Sequence, residues 1–250
     1  MDRYEETSII NTELIGENIN SVVNQVKRLI DMIMDDSQSN CIDYDFFDIK
    51  GTVLFYGVPG IGKTAASHNI INYALEKYGL DSYYINTSDI IVSGLGESVH
   101  NLSGELNDFI SKTQGILFLD EIDRLCVNRN RIDEVSELKR MSIELMRFFD
   151  SLNHKSHKFV IACTNVYDQL DDALLRRFSL RYEFIKPTFE EKDEFIRLCF
   201  KKLGFKDPIQ IQSQKKANNF NTIDDIKKEF REAILSGKIE ELINNFKEEL

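Results

Sequence analysis

The stretch Gly57-Val58-Pro59-Gly60-Ile61-Gly62-Lys63-Thr64 is the first place in the chain where residue type and spacing could do chemistry. Its glycines let the backbone curl so that successive N–H groups face one way, which makes a cradle for phosphate oxygens. An apolar run, Thr52–Tyr56, precedes the loop and a helical pattern follows from Thr64. The loop would therefore open onto a helix whose positive N-terminal end favours an anion. Lys63 would reach the β- and γ-phosphates of a nucleoside triphosphate. The Thr64 hydroxyl would help to hold Mg²⁺, a hard ion that takes oxygen ligands and keeps several waters. The expected nucleotide-binding stretch runs through Pro59, Gly60, Ile61, Gly62, Lys63, Thr64 and Ala65.

Two acids, Asp120 and Glu121, end the apolar run Ile116–Leu119. A buried strand would hold Asp120 rigidly at its C-terminal end, beside the phosphate loop of a neighbouring strand. Asp120 then reads as a metal-orienting carboxylate and Glu121 as the base that polarises an attacking water. Taken without the loop, a solvated strand end is the lesser alternative for the pair. A further apolar run, Phe159–Ala162, leads to Asn165, whose amide could bond both a γ-phosphate and that water, or simply begin a turn. Arg176 and Arg177 follow in Ala173-Leu174-Leu175-Arg176-Arg177-Phe178. They read as arginine fingers for a neighbouring copy's γ-phosphate, or as ordinary ion-paired groups at a helix end.

These residues need elements to position them. Short apolar runs at Val53–Tyr56, Tyr83–Ile85, Ile116–Leu119, Phe159–Ala162 and, more weakly, Tyr182–Ile185 alternate with helical spacing. Ala66, Ile70, Ala74 and Leu75 share one helix face; Leu138, Met141, Leu145, Met146 and Phe149 share another. The alternation predicts an α/β fold, a parallel sheet covered on both faces by helices. After Pro187 the pattern turns wholly helical, with stripes at Phe195, Ile196, Cys199 and Phe200, at Ile223, Ile226, Phe230 and Ile234, and at Ile239, Leu242, Ile243 and Phe246. The expected division is an amphipathic N-terminal helix and linker over 1–48, an α/β core over 49–186 and a small helical lid over 187–250. The N-terminal helix, with Ile15, Ile19, Val22, Val23, Val26, Leu29, Ile30 and Ile33 at three- and four-residue spacing, would pack on the body or dock a partner.

Composition bounds the rest. The 250 residues carry 31 Lys+Arg against 42 Asp+Glu, a net charge of −11, which disfavours a nucleic-acid footprint over the whole surface. The excess is local, since residues 1–48 hold 11 acids and 3 bases. Cys41, Cys126, Cys163 and Cys199 stand alone, without metal-site spacing, and read as reduced thiols of a cytoplasmic protein. No apolar run is long enough to span a membrane, and the N-terminus lacks an apolar signal core.

Together the loop Gly57–Thr64, the stretch from Asp120 to Arg129 (Asp120-Glu121-Ile122-Asp123-Arg124-Leu125-Cys126-Val127-Asn128-Arg129), the strand ending in Asn165, and Ala173–Phe178 resemble an AAA+ ATPase. The likeness is strongest to the clade containing katanin, spastin and the membrane-bound AAA proteases, in its short, single-module bacterial form. It covers about residues 51–187. The resemblance implies a P-loop nucleotide hydrolase that binds ATP and Mg²⁺ (through Thr64 and Asp120) between subunits of a ring, commonly a hexamer. Lys63, Thr64, Asp120, Glu121 and Asn165 would act in one subunit, Arg176 and Arg177 on the next. It further implies work on a partner protein, which the N-terminal helix could dock. Glu137-Leu138-Lys139-Arg140 lies where the family often places basic interface residues, though a solvated face would look the same. One departure stands out: Ser88–Ser98 resembles the family's first central-pore loop, but Gly94 takes the place of the gripping aromatic and Leu95 is the only apolar candidate. Two rival readings share the motifs, a helicase-loader-like ATPase on nucleic acid and a nucleotide-dependent adaptor.

Overall fold

The computed structural model describes residues 2–3, 14–35, 42–85, 87–91, 96–126, 132–205, 217 and 219–246. Residues 36–40 of the linker expected over 35–40, Cys41, the pore-loop positions Gly94 and Leu95, and Val127–Arg129 lie outside these.

Six strands form one sheet: β1 Asp2–Arg3, β2 Thr52–Tyr56, β3 Ser82–Tyr84, β4 Gly115–Leu119, β5 Lys158–Thr164 and β6 Leu180–Glu183. Their order across the sheet is β1-β3-β4-β5-β2-β6. All neighbours are parallel except β1 and β3, which pair antiparallel through Asp2↔Tyr84 and Arg3↔Tyr83. The five parallel strands match the sequence expectation; the antiparallel edge does not appear in it, because two charged residues carry no strand signal. The strand expected at Tyr182–Ile185 ends at Glu183, and Ile185 is exposed. As a strand with one neighbour, β6 is only half covered, so its apolar residues do not mark its limits.

The central strands are continuously buried, as a parallel sheet covered on both faces requires. On one face Leu54, Leu117, Leu119, Val160 and Ala162 pack with Leu102, Leu106 and Phe109 of α4 (Glu97–Ser111) and with Met141, Leu145 and Phe149 of α6 (Ile132–Ser151). The alternate residues Phe55, Phe118, Ile161 and Cys163 are equally buried on the other face. There α2 (Lys63–Tyr78) brings Ser67 to Cys163 and His68 to Phe118. The N-terminal helix α1 (Glu17–Met34) reaches Tyr182 of β6 through Gln25. Two short helices, α3 (Thr87–Ile90) and α5 (Asp123–Cys126), join these parts, with α7 (Asp172–Leu175) before β6.

The apolar stripe of α1 is used up inside the molecule: Val22, Val23, Val26, Leu29, Ile30 and Ile33 are all buried. Each contributes roughly 1.5–3 kcal/mol before the entropy of ordering is subtracted. That face is therefore not a docking surface, which corrects the partner-docking expectation for the stripe. A polar knot adds to it. Asp31 accepts hydrogen bonds from Tyr73 (2.6 and 2.8 Å), Tyr78 (2.7 Å) and Lys77 (2.9 Å), tying α1 to the helix that begins at Lys63.

By contacts the chain falls into two units. The first comprises Ser21–Gly57 and Lys63–Glu183 with β1. The second comprises Phe184–Leu250 together with Glu13–Asn20 and Val58–Gly62. Its core is Phe195, Ile196 and Phe200 of α8 (Phe189–Lys202), Ile226 and Phe230 of α9 (Ile223–Leu235), and Leu242 and Phe246 of α10 (Ile239–Phe246). Phe200 meets Phe230 and Phe246 edge-on at 5.0 and 5.3 Å. Capping boxes, Thr188 with Glu191 and Thr222 with Asp225, start α8 and α9. Ile234, expected in the second stripe, is exposed at the end of α9. Among the described residues no helix is long and apolar enough to cross a membrane.

Candidate functional site

Strand register decides what meets at the sheet's C-terminal end. Leu119 of β4 and Leu54 of β2 both pair with Ala162 of β5. Asp120, Asn165 and Gly57 follow within three residues of that level, so three parallel strands deliver them to one edge. This corrects one expectation: the strand carrying Asp120 does not neighbour the strand before the phosphate loop. Strand β5, with Asn165 at its tip, lies between them. Strand order is a property of long-range pairing, which local pattern does not contain.

The loop curls through Gly57, Gly60 and Gly62, at φ 140°, 77° and 103°. Gly60 is more tightly enclosed than Gly62. A Cβ there would lie 3.0 Å from Asp224 Cβ and 3.1 Å from Thr222 Oγ1, and Gly60 O accepts the Asp224 N–H at 3.2 Å. The contact joins the loop segment Val58–Gly62 to the start of α9 inside the second unit. The same unit holds Ile19 against Gly62, which sequence reasoning had placed only in an amphipathic stripe.

Lys63 opens α2 and is 7% exposed. Its ammonium donates to Gly57 O (2.8 Å) and to Asn165 Oδ1 (2.7 Å). Burial pushes its pKa down, against the pull of the nearby acids Asp120 and Asp123. An anion beside it would favour the charged form. Next to it, Thr64 Oγ1 donates to Asp120 Oδ2 at 3.1 Å. A hydroxyl and a carboxylate side by side form the hard oxygen donor set that suits Mg²⁺, which binds through one or two such groups plus waters and phosphate oxygens. No cluster of three or more His, Cys, Asp or Glu able to hold a metal occurs among the described residues. Thr64 and Asp120 are the residues that would hold Mg²⁺.

Glu121 stands at the turn after β4 with φ 53°, a left-handed conformation uncommon outside glycine. Its N–H donates to Asp120 Oδ1 (3.0 Å). Asp123 accepts from Thr164 Oγ1 at 2.7 Å, and Ile122 N–H bonds Cys163 O at 3.0 Å. The turn carrying Asp120 and Glu121 is thereby stitched to the strand end carrying Asn165. This role of Asp123 was missed, although the residue sits inside the quoted motif. His68, one turn along α2 from Thr64, was missed too. Burial pushes its pKa down, against the pull of Asp120. Cys163 beneath Lys63 is fully enclosed, and burial pushes its thiol well above the ordinary range.

The two arginines divide. Arg177 is committed within its own chain, donating to Ala173 O and pairing with Asp150 Oδ2 at 3.1 Å. Arg176, next to it, is exposed and makes no ion pair among the described residues. In the segment Glu137–Arg140, Glu137 is likewise committed: its Oε1 accepts from Gly96 N (3.2 Å) and Ser98 N (3.3 Å), capping α4. Lys139 and Arg140 are exposed.

Residues 53–185 match the profile of the ATPase family associated with various cellular activities (AAA). The chain is 31% identical over 176 residues to an uncharacterized AAA family ATPase of Sinorhizobium fredii, covering 70% of this chain and 51% of that protein. It is 30% identical over 162 residues to a putative cell division cycle ATPase of Plasmodium falciparum, covering 64% of this chain and 13% of that protein. The chain thus spans about half the length of the first of these relatives and a small part of the second. Among solved structures it is similar to a chain of the E. coli MS115-1 HORMA:CdnC:Trip13 complex, with TM-score 0.73 and 16% identity over 94% of this chain and 87% of that one. With more than half of its length inside the family profile and Gly57, Lys63, Thr64, Asp120 and Asn165 converging on one sheet edge, the chain belongs to the AAA family of ATPases.

Proposed function

We propose that this chain binds MgATP at the loop Pro59–Ala65, hydrolyses it in a ring of identical subunits, and uses the cycle to remodel or regulate a partner protein. The observation that carries the reading is the pair of contacts at the sheet edge, Lys63 Nζ to Asn165 Oδ1 and Thr64 Oγ1 to Asp120 Oδ2. They gather a cation, an amide, a hydroxyl and a carboxylate where a triphosphate on the loop would end.

Lys63 would exchange its two carbonyl acceptors for β- and γ-phosphate oxygens. Asn165, released from Lys63, would orient a water toward the γ-phosphorus. Glu121 would take a proton from that water as its oxygen bonds to phosphorus. The bond from phosphorus to the bridging oxygen breaks with its electron pair going to ADP. Bound Mg²⁺, held by Thr64 and Asp120, would supply charge neutralisation of the phosphate oxygens. Arg176, exposed and without an ion pair among the described residues, would act on the γ-phosphate of the neighbour. A contact of this head-to-tail kind closes into a ring or grows as a helix. The family's common hexamer and a cytoplasmic location are part of the proposal. The complex of the fold neighbour with HORMA and CdnC supports a protein as the object of the cycle.

Phosphate release from ATP tests this reading across a dilution series, with assembly followed by sedimentation. Turnover should rise with association and vanish in Lys63→Ala. Full-rate turnover by dissociated subunits would sink the ring reading, and retained activity in Lys63→Ala would sink the site.

A further inference from the structure

Arg124 holds the carboxylate of Glu121. Its Nε lies 2.6 Å from Glu121 Oε2, with the two side chains 39% and 40% exposed. The backbone sets up the pair. Glu121 is turned into the left-handed region at φ 53°, and the chain then closes at once into a turn in which Arg124 N–H bonds Glu121 O at 2.9 Å. This turn, held to the end of β5 by Ile122 and Asp123, brings the two side chains together.

A carboxylate that takes a proton from water needs an oxygen lone pair aimed at that water. In this structure the guanidinium occupies Oε2. Asp120 steadies only the Glu121 backbone N–H, and Asn165 is turned to Lys63. Among the described residues, Arg124 is thus the group that sets the direction of the Glu121 carboxylate.

We infer that Arg124 is a positioning residue that holds Glu121 in a resting orientation, so that turnover stays low until the pair opens. The inference rests on Glu121 being the base. Because both side chains reach solvent, the pair is weak enough to open during each cycle. It therefore trims the rate and does not abolish it.

Steady-state ATP hydrolysis by the full chain tests this at one protein concentration, with assembly and Tm recorded for each variant. Arg124→Ala should raise kcat about two- to fivefold with KM for ATP unchanged, the span that one half-exposed ion pair supports. Arg124→Lys should return kcat close to wild type, since an ammonium at the same place keeps a cation on Glu121. An arginine that merely braced the turn would lower Tm when removed and would not raise kcat. If Glu121→Gln is inactive while Arg124→Ala shows unchanged or lower kcat, the resting-pair inference is overturned and the base assignment stands. If Glu121→Gln turns over at the wild-type rate, both are overturned.

Discussion

Lys63 and Asn165 bond each other at 2.7 Å, so the two groups best suited to a γ-phosphate satisfy one another. Binding is then an exchange of partners, and the cost of burying Lys63 is already met by the fold. Glu121 has no such tie to the loop. Glu121→Gln keeps the shape and removes the basicity, so it should bind ATP as wild type and lose turnover by at least about a hundredfold, the usual contribution of general acid–base catalysis. Nucleotide binding by fluorescence, beside phosphate release, checks both halves. The arginines separate the same way. Arg176→Ala should leave Tm unchanged and lower turnover by a factor on the order of 10³–10⁵. Arg177→Ala leaves Asp150 unpaired and Ala173 O without its donor, so it should lower Tm as well. Equal thermal loss in both variants would contradict the division of labour.

Among the elements, α1 and α2 depend on one carboxylate. Burial works against the charged form of Asp31, but hydrogen bonds from Tyr73, Lys77 and Tyr78 together outweigh it and hold its carboxyl below the usual range. Charge-assisted hydrogen bonds of this kind, discounted for partial exposure, are worth on the order of 1–2 kcal/mol, so Asp31→Ala should lower Tm by about 2–6 °C. The sign with pH follows. A carboxyl whose folded pKa is depressed stabilises fully above its unfolded value, and the stabilisation is lost as pH falls through the folded value. The Tm gap between wild type and Asp31→Ala should therefore be constant near neutrality and narrow in acid. Differential scanning calorimetry at several pH values measures it, and a gap that widens on acidification would rule the knot out as the cause. Gly60 shows a second dependence on elements: its backbone meets the start of α9 at Asp224, so loop conformation and helix position inside that unit are linked.

At the scale of the assembly, the prediction concerns complementation. Lys63→Ala and Arg176→Ala chains should each be inactive alone. Mixed in equal amounts and allowed to reassemble, they should recover roughly a quarter of wild-type turnover, the share of head-to-tail contacts with both residues intact. No recovery at any ratio, with mixed assemblies shown by sedimentation, would mean that Arg176 serves its own subunit.

The phosphate loop, the acid pair, Asn165 and the alternation of strand and helix were legible because each is a local pattern. A glycine must sit where φ is positive, an apolar run must be buried, and an acid at its end must emerge at the sheet edge. Three-dimensional pairing settled what depends on residues far apart in the chain. It set β5 between β2 and β4, added the short antiparallel β1, and spent the apolar stripe of α1 on the molecule's own interior. It also told two adjacent arginines apart. Arg176 and Arg177 are chemically identical in sequence, and only the position of Asp150, 27 residues from Arg177 along the chain, makes one structural and leaves the other facing solvent.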